Sequence, residues 1–182
     1  MKRRTLDLLL TWVGALLTVA LIGAGSLMMW GYNFANSTVH SQLAHEQIYF
    51  PPLGSSALSS PEIGPYLNQY AGQQLLTGRQ AEAWADHFIA VHLQEMSGGK
   101  TYSQLSAESM AAPTNTKLAD LVQTVFRGDT LRSMLLTAYA FWTFGQIALY
   151  AALGSFVAAF LMLILTLLGL RHYRRVDEAA VV

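Results

Sequence analysis

The sequence predicts an all-α membrane protein in which two transmembrane helices flank a small helical extracytoplasmic domain, the second span continuing into the domain as a long helix. Three observations predict it. Residues 133–170, between Arg132 and Arg171, carry nothing ionisable except Tyr139 and Tyr150, and so uncharged a run belongs in or against lipid. Residues 6–30 form a second apolar run interrupted only by Asp7. Between the two, apolar residues recur at helical spacings of three and four, with no strand-like alternation.

The first stretch, residues 1–30, is assigned as a cytoplasmic N-terminus and the first span. Lys2, Arg3 and Arg4 precede the apolar run, and such clusters mark the cytoplasmic side. A cleavable signal peptide is the rival reading, with small residues at Ala24, Gly25 and Ser26. The apolar core is longer than the roughly 7 to 15 residues of a signal peptide, which favours an anchor. Small residues recur every four positions at Gly14 and Thr18 and at Ala20 and Ala24, and on the second span at Ala151, Ser155 and Ala159. Such stripes let helix backbones approach closely, so the spans are expected to pack antiparallel or to dock on a partner's helix. Trp30, Tyr32 and Phe34 follow as an interfacial aromatic belt.

Residues 31–130 form the domain. Its five basic and eight acidic residues between positions 31 and 132 give 5 − 8 = −3, which offers no basic surface for nucleic acid. Residues 39–48 extend the first helix, with Val39, Leu43 and Gln47 on one side. The Pro, Ser and Gly of residues 49–66 exclude a regular helix, while the interleaved Tyr49, Phe50, Leu53, Leu58, Ile63 and Tyr66 predict a segment that wraps the domain. Thr77 and Gln80 fit a capping box opening a helix that Gly98 and Gly99 stop. Its predicted buried stripe is Ala81, Trp84, Ala85, Phe88, Ile89, His92 and Met96. A short helix over residues 102–111 and another over residues 117–127 follow, the latter burying Leu118, Leu121, Val122, Val125 and Phe126 and stopping at Gly128. Asp129 is expected to cap the long helix of residues 131–170, and Arg171, His172, Arg174 and Arg175 to open the cytoplasmic tail, residues 171–182. The outer membrane boundary on this helix falls between Ile147 and Ala151. Tyr139, Phe141, Trp142 and Phe144 then lie outside it, expected to pack against the helix carrying Trp84 and Phe88.

The sequence has no cysteine, hence no disulfide, thiolate nucleophile or Cys-ligated metal. The candidate metal ligands are His40, His45, His87 and His92 with Glu95. Each histidine pair is five residues apart, about 140° around a helix, so neither chelates from one face and a site needs two segments to meet. No GxSxG elbow is present. Asp86 and His87 diverge by about 100° on a helix, which excludes them as a direct dyad. Gly98-Gly99-Lys100-Thr101 lacks the first glycine and the preceding strand of a phosphate loop, and Arg127-Gly128-Asp129 reads as a helix boundary rather than an adhesion signal.

The stretches Trp30-Gly31-Tyr32-Asn33-Phe34-Ala35, Tyr70-Ala71-Gly72-Gln73-Gln74, His87-Phe88-Ile89-Ala90-Val91-His92-Leu93, Gly98-Gly99-Lys100-Thr101-Tyr102 and Ala138-Tyr139-Ala140-Phe141-Trp142 resemble a group of actinobacterial two-pass membrane proteins with no established activity. A ring-opening dioxygenase label sometimes given to members finds no support in these residues. The resemblance implies a bacterial plasma membrane, both termini cytoplasmic and the central domain outside, and it transfers no catalytic residue. The expected function is non-enzymatic and cofactor-free: an accessory or interaction subunit of a larger transport or respiratory membrane complex. Its expected partners are the bilayer and other integral membrane proteins or a second copy. The alternative is a module that binds or senses a lipid or other apolar ligand outside the membrane.

Overall fold

A computed structural model describes residues 3–175; Lys2 and residues 176–182, invoked above as flank and tail, lie outside the described residues. The architecture is helical, and the chain divides into two compact units. One comprises residues up to Phe34 together with those from Gly145 onward, the other Ala35–Phe144. Two helices contribute to both: α1, Arg3–Glu46, and α6, Thr116–Tyr173. Both are long and apolar enough to cross a membrane.

The extension of α1 through residues 39–46 has a simple cause, since no proline interrupts it before Pro51. Val39 and Leu43 are buried, but Gln47 is exposed. Gln47 adopts φ +51 and terminates α1 as a left-handed C-cap instead of extending its buried side.

The Pro-rich segment wraps as its apolar residues demand, though only in part. Phe50, Leu58 and Ile63 are buried whereas Tyr49, Leu53 and Tyr66 face outward. Short antiparallel pairing anchors it: the Phe50 N–H donates to Gln73 O and the Leu75 N–H to Ile48 O, both at 2.9 Å. Phe50 lies edge-on to Trp84 at 5.1 Å and beside Tyr70 at 5.2 Å, the geometry that ring quadrupoles favour. A single turn, α2, spans Gly64–Leu67, where the Gly64 backbone passes so near the Leu58 carbonyl that a Cβ would stand 2.5 Å from its oxygen.

The next helix begins at the expected capping box, Thr77 with Gln80, and ends at Gly98 with φ +63. Between, it is not uniform: α3, Gly78–Trp84, passes through a π-helical turn, Ala85–Ile89, into α4, Ala90–Ser97. This changes the buried stripe. Ala81, Ala85, Ile89, Leu93 and Ser97 are buried at an unbroken spacing of four, Trp84, Phe88 and His92 are half-buried, and Met96 is exposed. On a regular helix each four-residue step overshoots a full turn by about 40°, and the wider π turn absorbs the drift.

Helix α5, Tyr102–Ala111, carries its own capping box at Thr101 and Gln104. It buries Leu105 and sets Tyr102 against Phe126 at 5.4 Å. The expected stop at Gly128 and cap at Asp129 do not exist, because α6 runs unbroken for 58 residues, about 87 Å at 1.5 Å per residue. Gly128 is a packing residue: a Cβ there would lie 2.5 Å from Leu93 Cδ2, so a close helix contact is set against the roughly 1 kcal/mol helix cost of glycine. Val122 and Val125 are buried, Leu118 and Leu121 half-buried, and Phe126 exposed.

Candidate functional site: the helix seam and its polar end

In the first unit α1 and α6 pack antiparallel along a seam of small and hydroxylated residues. The Ser155 hydroxyl donates to Leu21 O at 2.8 Å. Gly14 faces Thr166, Gly25 faces the Phe156 ring and Gly169 faces Thr11, each approach being close enough that a Cβ on the glycine would meet its partner within 3.3 Å. Thr18, Ala152 and Ala159 are buried, Ala152 at 0% exposure. Positions 7, 11, 14, 18, 21 and 25 of α1 and 152, 155, 159, 162, 166 and 169 of α6 run through these contacts, all buried or half-buried, with Leu6, Ala15 and Phe156 half-buried beside them. Both series alternate steps of three and four, a 3.5-residue period that implies left-handed winding.

This places most of the expected docking residues and corrects the remainder. Gly14, Thr18, Ser155 and Ala159 lie in the seam. Ala151 is exposed one position away and Ala152 occupies its place; Ala20 and Ala24 are likewise exposed, and Gly25 packs instead. A four-residue stripe drifts around a helix, whereas the alternation of three and four stays on one face, so reading the sequence for the heptad would have found Ala152, Thr166 and Gly169.

The seam hydroxyls of α1 are satisfied within their own helix: Thr11 donates to Asp7 O at 2.7 Å and Thr18 to Gly14 O at 2.8 Å. At one end the seam opens into a cavity of about 230 Å³ lined by Asp7, Thr11, Gly14, Thr166, Gly169 and His172 among others. Asp7 Oδ2 and Thr166 Oγ1 are buried there without a hydrogen bond, and His172 Nε2 stands 3.9 Å from Asp7 Oδ2.

The belt residues Trp30 and Phe34 stack at 5.6 Å on the exposed side of α1, with Tyr32 half-buried. In the second unit the four aromatics of α6 do not act together: Trp142 meets the expected helix at Gly78, whereas Phe141 and Phe144 do not reach it. Trp142 packs on Gly78 with the Arg79 guanidinium 5.7 Å from its ring, and Tyr139 lies 6.2 Å from it. Phe141 and Phe144 are 57% and 70% exposed, on the far side of the helix. Trp84 and Phe88 instead stack on each other at 4.2 Å. Beside Phe141, residues Thr38, Val39, Gln42, Met134, Thr137 and Ala138 line an apolar groove of about 370 Å³.

The structure does not gather the candidate metal ligands. His40 and His45 are exposed on α1, and Glu95 is exposed on α4. His87 stacks flat on Tyr66 at 3.4 Å, and His92 donates from Nδ1 to Phe88 O at 2.7 Å. Among the described residues, no three His, Cys, Asp or Glu side chains cluster as a metal site would need. Asp86 pairs with Arg132 at 2.6 Å, tying the π turn to α6; this partner was invisible to spacing because 46 residues separate the two.

No protein-family model, curated protein or solved structure matches this chain.

Proposed function

We propose that the protein is an integral protein of the bacterial plasma membrane, with both termini cytoplasmic and residues 35–144 outside, and that it acts by contact as an accessory subunit of a larger membrane complex. The observation that carries this reading is the row of large apolar side chains that α6 presents outward beyond its most apolar stretch: Met134 is 64% exposed, beside Phe141 and Phe144. Apolar surface left open next to a bilayer is the mark of an interaction face. The basic residues flanking both runs support the orientation, and the family resemblance supports the bacterial setting. A photo-crosslinking amino acid at Phe144 in living cells should join the chain to one membrane protein, and Met134→Ser with Phe141→Ser should abolish that product. Crosslinks to lipid alone would overturn the accessory role.

The apolar groove at Thr38, Gln42, Met134 and Phe141 supports the second reading, a module that holds an acyl chain. Native mass spectrometry of the purified protein separates the two, since a retained lipid lost in Ala138→Trp would favour the ligand-binding role.

A further inference from the structure

We propose that the cavity at the end of the seam binds a small monovalent cation through oxygen. Its polar contents are unusual for a helix pair among lipid-facing residues. The Asp7 carboxylate is largely withdrawn from solvent, with 17% side-chain exposure, and its Oδ2 takes no hydrogen bond. Thr166 Oγ1, lining the same cavity, is also buried and unpartnered. Thr11 spends its proton on Asp7 O, so its oxygen offers only lone pairs to the space. Buried polar atoms are normally satisfied, and a carboxylate oxygen withdrawn from water without a hydrogen bond is costly.

His172 does not discharge this demand, since its Nε2 is 3.9 Å from Asp7 Oδ2, beyond hydrogen-bonding reach. The donor set then selects the ligand. Oxygens suit hard cations, and a single carboxylate balances one positive charge, whereas calcium and magnesium sites draw on more oxygens and usually more carboxylates. No thiolate lies here, the Met162 thioether on the wall is a soft, neutral donor, and the one imidazole stands apart, so the hard oxygens set the preference. Gly14 is part of the construction: a Cβ at that position would stand 2.5 Å from Thr166 Oγ1, so glycine leaves the hydroxyl its place against α1 at the cavity wall.

The test is thermal unfolding of the full chain in lipid nanodiscs, in sodium chloride against choline chloride at equal ionic strength. Sodium should raise the melting temperature saturably, by about 3 to 5 °C at tenfold excess over its Kd. The rise should vanish in Thr166→Val and Asp7→Asn, persist in Thr166→Ser, and persist in His172→Gln. Should Asp7→Asn fail to fold, Thr166→Val together with sodium-23 NMR line broadening on the unaltered protein decides the matter. Equal melting in both salts overturns the site, as does a sodium effect indifferent to Thr166→Val. Loss of stability in His172→Gln without any dependence on the cation would also overturn it, identifying the imidazolium as the partner of Asp7.

Discussion

Gly78 and Gly128 show how single glycines decide where helices meet. At Gly78 a methyl group would overlap the stem of Trp142, which is attached to a long helix and cannot swing away, so Gly78→Ala should destabilise the domain by about 1 to 3 kcal/mol through overpacking. Denaturant unfolding followed by tryptophan fluorescence measures it. Gly128 differs because its neighbour is the flexible end of Leu93. Gly128→Ala alone sets a gain in helix propensity of about 1 kcal/mol against that contact. In a Leu93→Ala background the contact is gone, so the same substitution should stabilise. A double-mutant cycle should therefore show a coupling of at least about 0.5 kcal/mol, and additivity would mean that the two side chains do not constrain each other.

At the scale of elements, the π turn governs which residues of the third and fourth helices reach the core. Deleting His87 should convert the turn to regular helix and keep Leu93 within about 20° of the line of Ala81 and Ala85, since the π turn holds one residue more than the regular helix needs. The domain should then keep its cooperative thermal transition in circular dichroism; its loss would show that the bulge itself, and not only the face it preserves, is needed. This element also marks where the sequence was legible and where it was not. Caps are local chemistry, so Thr77 with Gln80 and the stop at Gly98 could be read directly, as could the bounds of α5. The π turn leaves no local signature, because its cause is the match of a four-residue stripe to a surface formed by α6. Gly128 misled for the related reason that a glycine reads as a stop unless its packing partner, 35 positions earlier at Leu93, is known. In the seam, four of the seven small residues were found, and the register failed at Ala20, Ala24 and Ala151 because a repeat of four drifts off the face on which the helices meet.

For the whole molecule, the orientation carries a direct prediction. Single cysteines at Ser56 and Arg175, both exposed, should differ on intact cells: an impermeant thiol reagent should label the first and spare the second until the cells are broken. Equal labelling would refute the assignment of residues 35–144 to the outside. The absence of native cysteine makes the measurement free of background from the chain itself.

The two sides of the seam are made at different times, and their hydrogen bonds suit that order. Gly14 leaves the ribosome 152 residues before Thr166, about 8 to 30 s at ordinary rates of synthesis, so in the proposed topology α1 waits in the bilayer without its mate. Its hydroxyls at Thr11, Thr18 and Ser26 each turn back to a carbonyl of the preceding turn, so none of these three is left to recruit a wrong neighbour meanwhile. Ser155, on the helix made later, is the residue whose hydroxyl reaches across to α1. Moving that crossing bond to the early helix, by Ser155→Ala with Leu21→Ser, would leave a newborn span looking for a partner before its own has been translated.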